Sequence, residues 1–297
     1  MLLSIITLNY KKSELTIRLL ASINKMFRQE LIDDELEVII VDNKSPDNSV
    51  KIIQVAISHN KYKNMTLYQN KENAGFGRGN NYGAKKAKGK YFLFLNNDTM
   101  VKDRGIFEMA QYLEKHKEIA ILGGQLRNFD GSLQPSSGKF YTPLNLTLLL
   151  MGAQKVGLLD KSPKKISEVQ WVKGAVFMIR KEVFEKLGGF DPNIFMYTED
   201  MELCYRAKLA GYKIYFYPYT QVFHIDQGSS NKTFAILNVY KNMLYFYRKH
   251  RTKAEYIYVK WLLNAKAQFS LFIGRCINNQ YLISTYGQAI NTVQKNS

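Results

Sequence analysis

The sequence predicts an α/β chain: a mostly parallel, Rossmann-like sheet flanked by helices, followed by a basic helical C-terminal appendage. Three observations carry that expectation. Residues 3–68 alternate apolar runs with amphipathic stretches in the order β-α-β-α-β, and such units join parallel strands by right-handed crossovers. The run Tyr91-Phe-Leu-Phe-Leu95 is apolar throughout, the pattern of a central strand buried on both faces. Beyond residue 226 the periodicity is helical and the charge basic to the end.

The first strand is residues 3–8, ending at Asn9-Tyr10, and Ser13 caps a helix whose Leu15, Leu19, Ile23 and Met26 keep helical spacing. Residues 36–41 form a second buried strand that delivers Asp42-Asn43 into the polar turn 44–48; a helix and a strand at 65–68 follow. The segment Asn73-Ala-Gly75-Phe-Gly77-Arg78-Gly79-Asn80-Asn81 opens a short helix ending near Lys88. Alternate glycines let backbone approach a ligand closely and a helix start favours anions, although a plain glycine-rich turn explains the pattern as well. It is not the dinucleotide fingerprint, because the spacing differs and it follows the third strand. The strand 91–95 then runs into Asn96-Asn97-Asp98.

A helix at 103–116 and a strand at 119–123 come next. Regularity weakens over 125–169, where Asp130-Gly131 signals a hairpin and the remainder reads as a long loop of the kind that flanks a functional site. Residues 171–179 are strand-like, and a short helix at 180–186 is stopped by Gly188-Gly189. Thr198-Glu199-Asp200 start a helix that Gly211 ends; short strands follow at 213–217 and 221–224. The expected division is therefore 1–226 for the α/β domain and 227–297 for the basic helical region.

A hydrophobic content of 46% with 23% charged residues suits a globular core. Cys204 and Cys276 make neither a disulfide framework nor a zinc pattern, which favours a reducing compartment. The N-terminus enters a strand pattern at once, unlike a signal peptide, and no run reaches the roughly 18 apolar residues of a spanning helix. The expectation is a cytoplasmic protein, soluble or peripheral at the inner face of the plasma membrane. The formal net charge is +17, and beyond Asp226 ten basic residues face only Glu255. Such an excess attracts polyanions, either nucleic acid or an anionic membrane. Within 254–273, Ile257, Trp261, Leu262, Ala265, Phe269, Phe272 and Ile273 keep helical spacing, with Lys260 and Lys266 off the stripe. That pattern fits a helix in a membrane interface or one docked on the catalytic domain with a solvated basic face.

Four polar clusters fall at or beside strand ends: Thr7 with Asn9, Asp42 with Asn43, Asp98, and Glu199-Asp200. In open α/β sheets ligands bind at the carboxyl ends of the strands, where a carboxylate can hold a hard cation and through it phosphate. Each cluster also has a local explanation as a strand-end hydroxyl, a turn former, or acids capping or starting a helix.

The joint order of Ser4-Ile-Ile-Thr-Leu-Asn-Tyr10, Val41-Asp-Asn-Lys-Ser45, Asn73-Ala-Gly-Phe-Gly-Arg-Gly-Asn80, Leu95-Asn-Asn-Asp98, Trp171-Val-Lys-Gly-Ala175, Gly189-Phe-Asp191 and Glu199-Asp-Met-Glu-Leu-Cys-Tyr-Arg206 is more specific. Over residues 3–226 it resembles the inverting nucleotide-sugar glycosyltransferases of family 2, with the GT-A fold, and most of all their bacterial rhamnosyltransferase-like branch. The resemblance implies a nucleotide-sugar donor, with dTDP-L-rhamnose leading and UDP-sugars second, and a saccharide or lipid-linked saccharide acceptor. It implies that Thr7 and Asp42, with Asn9, Asn43, Asn73, Gly75, Arg78, Asn80 and Asn97, bind the donor. Asp98 would hold Mg²⁺ or Mn²⁺ at the diphosphate. Asn96 stands where the family often has a second acid, which leaves His224 as a candidate second ligand, against the alternative of a structural histidine. Asp200 would be the general base, with Glu199 beside it raising its pKa or taking the role itself. Trp171, Gly174 and Ala175 would shape the acceptor side, and Arg206 reads as structural.

Two other classes fit less well. A nucleic-acid binder would draw on the +17 charge, but acids at the strand ends repel phosphate without a metal. A sugar nucleotidyltransferase wants a basic glycine-rich signature at the first strand, which Thr7-Leu-Asn-Tyr10 lacks. No nucleic-acid partner is expected.

Overall fold

Strands β1 (Leu3–Asn9), β2 (Leu36–Asp42), β3 (Met65–Gln69) and β4 (Tyr91–Leu95) run parallel in a computed structural model that describes residues 1–151, 160–225 and 231–295. Their crossovers are α1 (Ser13–Ile32), α2 (Ser49–His59) and α3 (Gly75–Ala84). Every residue of β2 and β4 is buried; β4 is apolar throughout, and in β2 the acids Glu37 and Asp42 are hydrogen-bonded, Glu37 accepting from Ser4 at 2.6 Å. Leu3, Ile5, Val38, Ile40 and Leu93 pack with Leu19, Ile23 and Phe27 of α1 and Ile53 of α2. The alternate residues face the other way: Gly83 of α3 lies against Ile6 and Val41. The chain thus winds helices onto both faces.

The next elements are β5 (Thr99–Val101), α4 (Gly105–Lys115), β6 (Ile119–Arg127), β7 (Leu133–Gln134), β8 (Ser137–Gly138) and α5 (Pro143–Leu150). After them come β9 (Asp160–Lys161), β10 (Ser167–Glu168), β11 (Trp171–Val172), β12 (Val176–Arg180), α6 (Lys181–Lys186), α7 (Glu199–Leu209) and β13 (Lys213–His224). The chain continues as α8 (Lys232–His250), α9 (Lys253–Cys276) and α10 (Gln280–Lys295). The main sheet has the order β10-β13-β6-β12-β4-β1-β2-β3, with β5 on β13 and β7 on β6, and β11-β8-β9 form a second sheet. β12 is antiparallel to both β4 and β6, whereas β13 is parallel to β6. Phe94 of β4 meets Phe177 of β12 at 6.2 Å, Phe184 of α6 at 5.1 Å and Phe190 at 4.8 Å, an aromatic core on the α3–α6 face.

Several local expectations are revised. Ser13 is the first helical residue of α1 rather than its cap; Lys12 stands at the cap position with no side-chain bond. The stretch 125–169 is more ordered than a loop. It holds the β6–β7 hairpin, whose Gly131 adopts φ +87°, and α5, where Thr142 accepts from the Asn145 amide at 3.2 Å and Pro143 fills the first turn. The strand expected over 171–179 is broken, because β11 pairs with β8 while β12 pairs with β4. The two strands expected at 213–224 are one, with a bulge between Tyr217 and Val222.

The chain divides into two compact units. The first contains both sheets with α1–α4, α6 and α7. The second contains α5, α8, α9 and α10 with Met196–Thr198, so α5 groups with the C-terminal helices rather than with the sheet. Within it, Tyr247 donates to the Tyr141 carbonyl at 2.5 Å, and Asn242 donates to the carbonyls of Met196 and Tyr197 at 2.8 and 2.9 Å. The expected boundary at 226 lies outside the described residues.

Candidate functional site

The carboxyl ends of β1, β2 and β4 gather the expected donor residues. Asn9 and Asp42 are register partners on β1 and β2. The Asn9 amide donates to Asp42 Oδ2 at 2.7 Å and its oxygen accepts from Thr16 at 2.9 Å. Ser45 completes the ring, donating from its amide to Asp42 Oδ1 at 2.8 Å and from its hydroxyl to Oδ2 at 2.6 Å. Asp42 is fully buried, and its carboxylate holds two strand ends and a turn together. Asn43 does the same one step outward, donating to the Gly75 carbonyl and accepting from Asn70, both at 2.9 Å. Thr7 differs: it is buried on β1 and its hydroxyl has no partner. Asn80 of α3 likewise has a buried, unpartnered Nδ2. Asn97 donates to Thr16 at 3.0 Å.

The glycine-rich segment admits protein rather than open space. Gly75 sits at φ +72°, and a Cβ there would lie 2.2 Å from the Phe195 carbonyl oxygen, which accepts from the Phe76 amide at 2.7 Å. The Gly75 amide is bound by Asn73 Oδ1 at 3.2 Å. Two donors at the start of α3 are thereby satisfied internally. Arg78 is exposed and ion-paired with Glu72. It lines a cavity of about 970 Å³ with Asn81, Tyr82, Phe92 and Phe184, to which none of the other expected donor residues contributes.

Asp98 follows β4, and the antiparallel pairing of β5 with β13 sets His224 opposite Thr99. His224 Nε2 stands 3.4 Å from Asp98 Oδ1, and that buried oxygen has no hydrogen-bond partner. Gln134 decides what faces it. The Gln134 amide nitrogen donates to Asn128 Oδ1 at 2.6 Å and to the His224 carbonyl at 3.0 Å, so its oxygen meets His224 Nδ1 at 2.9 Å. An amide oxygen only accepts, so Nδ1 carries a proton and Nε2 is the ring nitrogen that faces the Asp98 carboxylate. A carboxylate and an imidazole nitrogen at this separation can share a proton or a divalent cation. Among the described residues no third His, Cys, Asp or Glu joins this pair.

Glu199 and Asp200 open α7. Asp200 accepts from the Gly174 amide at 2.8 Å and from the Met201 amide at 2.7 Å. Glu199 is buried with an unpartnered Oε2. Burial first, and then the adjacent Asp200, push the Glu199 carboxyl well above the usual carboxylate range. Burial also raises Asp200, opposed by the Gly174 and Met201 amides and by Lys173. Both carboxyls are therefore raised, and the amide donors favour the ionised form at Asp200 but not at Glu199 Oε2. A short relay ties this acid to the Asp98 loop: Gly174 precedes Ala175, whose carbonyl accepts from Asn96 at 3.2 Å.

Trp171 is buried against Gly138, and its indole N–H donates to the Lys139 carbonyl at 3.0 Å, so it stiffens the small sheet. Arg206 is structural as expected, donating to both oxygens of buried Glu202 at 2.9 Å and to the Gly189 carbonyl at 2.7 Å. Sequence reasoning missed Thr16, Ser45, Gln134 and Lys173. Of these only Ser45 carried a signal, three residues after an Asp at a turn.

Residues 4–188 match the family described as Glycosyl transferase family 2, and residues 161–227 match the N-terminal domain of galactosyltransferase. The chain is 26% identical over 222 residues to Rhamnosyltransferase WbbL of Escherichia coli (strain K12), covering 72% of this chain and 82% of that one. It is 25% identical over 186 residues to the Poly-beta-1,6-N-acetyl-D-glucosamine synthase of Staphylococcus epidermidis, covering 62% of this chain but only 41% of that protein. Its fold is similar to that of the mannosyltransferase PcManGT from Pyrobaculum calidifontis, solved with GDP-Man and Mn²⁺, at TM-score 0.59 and 14% identity over 99% of this chain and 75% of that one. S. aureus TarS 1-349 gives TM-score 0.59 at 17% identity over 98% and 81%.

Proposed function

Since the chain belongs to glycosyltransferase family 2, we propose that it moves a sugar, with inversion, from a nucleotide donor to a saccharide or lipid-linked saccharide in surface polysaccharide synthesis. In that displacement the acceptor oxygen bonds to the anomeric carbon, the bond to the nucleoside diphosphate breaks, and the diphosphate leaves with the electron pair. Asp200 takes the hydroxyl proton, and the two amides that grip it aim a carboxylate oxygen rather than a mobile side chain. Glu199 is a positioning and electrostatic neighbour. Thr7 meets the base of the nucleotide through its free hydroxyl, while Asp42 shapes the pocket by holding Asn9 and Ser45. The lead donor is dTDP-L-rhamnose, supported by the name of the Escherichia coli relative. A cytoplasmic place of action accords with the free thiols Cys204 and Cys276.

The observation that carries the reading is the unpartnered Asp98 oxygen facing Nε2 of a histidine whose other ring nitrogen Gln134 holds. A carboxylate and an imidazole suit Mn²⁺, and Mg²⁺ through the carboxylate, so Asp98 and His224 would hold the ion. When bound, the cation offsets the charge of the departing diphosphate. The test is a donor screen for nucleotide release with and without Mn²⁺ or Mg²⁺, on wild type and Asp98→Ala. Release from dTDP-rhamnose, lost on chelation and in the variant by on the order of a hundredfold or more, supports donor and metal together. No turnover of any nucleotide sugar, with lipid-linked acceptors supplied, defeats the reading.

A further inference from the structure

The outward face of α9 is apolar. Val259, Leu263, Ala267, Ser270 and Gly274 form its buried stripe. On the opposite arc Ile257, Trp261, Phe269 and Phe272 are 55, 63, 59 and 62% exposed, with Tyr258 beside them at 40%. Tyr258 shares a 2.9 Å hydrogen bond with Thr147 of α5, and on α5 Leu144 is 68% exposed, so the apolar surface continues onto a second helix. An aromatic stripe of this length on a water-facing helix marks a binding surface. Its rim is basic: Lys260 and Lys266 lie on the two flanks of the arc and Arg275 near its end. The sole acid beyond residue 230 is Glu255, which is committed to the Thr252 capping box and pairs with Arg251 at 3.8 Å.

We infer that this face of the helical unit lies in the interface of an anionic lipid bilayer, with the aromatic stripe among the upper acyl chains and the lysines at headgroup phosphates. Three properties favour that occupant. Among the described residues no helix is long and apolar enough to cross a membrane, so α9 would lie along the surface rather than span it. Trp, Tyr and Phe with flanking Lys are the side chains that partition into the interfacial layer. A second copy of the chain seated here would bring two strongly basic surfaces together, whereas anionic headgroups neutralise them. The inference stands on the helical unit alone and does not depend on the donor or metal reading.

The test uses the full chain with phosphatidylcholine vesicles, with and without about 30% phosphatidylglycerol, a composition chosen to give the anionic surface potential invoked above. Co-sedimentation with the anionic vesicles, weakening with salt, is expected. The chain has two tryptophans. Trp171 is buried and Trp261 exposed, so a blue shift of emission on binding reports Trp261. Trp261→Ala with Phe272→Ala lowers the vesicle partition coefficient on the order of a hundredfold, and Lys260→Glu with Lys266→Glu on the order of tenfold or more. Trp261 and Phe272 are exposed and Lys260 and Lys266 half-buried, and an unchanged circular-dichroism melt verifies folding. Equal binding to neutral and anionic vesicles, or no binding by folded wild type, overturns the inference. So does sedimentation-equilibrium evidence of a dimer that Trp261→Ala abolishes, which would give the face to a second copy.

Discussion

Two acids stand side by side at the start of α7, and their surroundings treat them differently. Asp200 is gripped by two amide N–H groups, an arrangement that favours the ionised form, whereas Glu199 Oε2 is buried without a donor. A neutral, isosteric glutamine should therefore mimic Glu199 as it already is. Glu199→Gln is expected to change kcat/KM by less than about threefold and to leave the acid limb of the pH profile in place, since a protonated neighbour exerts no like-charge push. Asp200→Asn removes the proton acceptor and sets a donor amide against an amide N–H. The loss should be about 10²–10⁴-fold, roughly 3–5 kcal/mol of transition-state stabilisation. The assay is nucleoside diphosphate release at saturating metal across a pH series. The wild-type acid limb is expected above the ordinary carboxylate range, because burial raises Asp200. If Glu199→Gln falls as far as Asp200→Asn, or its limb moves by a unit or more, Glu199 is charged during turnover and the assignment of the base is wrong.

Three further outcomes follow from the same coordinates. Glu199 has a folded pKa raised above its unfolded value, so its contribution to stability is full below the ordinary carboxylate pKa and is lost as pH rises through the folded one; Glu199→Gln should flatten that decline, seen as a higher melting temperature than wild type on the alkaline side only. Gln134→Ala frees the His224 tautomer, and metal affinity by calorimetry should drop about 10–100-fold with little change in melting temperature. Gly75→Ala places a methyl 2.2 Å from the Phe195 carbonyl at φ +72°, and chemical denaturation should show a loss of roughly 2 kcal/mol or more.

The apolar runs at residues 36–41 and 91–95 announced a parallel sheet because burial on both faces leaves a composition that little else produces. Asp42, Asp98, Glu199 and Asp200 could be placed at strand ends or beside them for the same reason. Their partners could not. Asn9 reaches Asp42 across a crossover, and Gln134 meets His224 some 90 residues away, so only the assembled sheet brings them together; Ser45, three residues after Asp42, was the local exception. The glycine-rich segment was read as making room for a ligand, but at Gly75 the room is taken by the Phe195 carbonyl of a distant loop. Helical spacing in α9 identified one apolar stripe, through Ile257, Trp261, Phe269 and Phe272, but not the opposite stripe that packs. Small residues, Ala267, Ser270 and Gly274, turned out to line the packed side because they let neighbouring helices approach closely.

The antiparallel insertion of β12 bears on how this chain leaves the ribosome. β4 is apolar from end to end, and the edge that β12 covers pairs with residues about eighty to ninety positions later. At roughly 5–20 residues per second of synthesis, that edge waits several seconds for its partner. Bare, fully apolar strand edges recruit one another. Chains released before residue 176 should therefore aggregate, while chains that include β12 close the sheet, and nascent-chain solubility should rise sharply at that length.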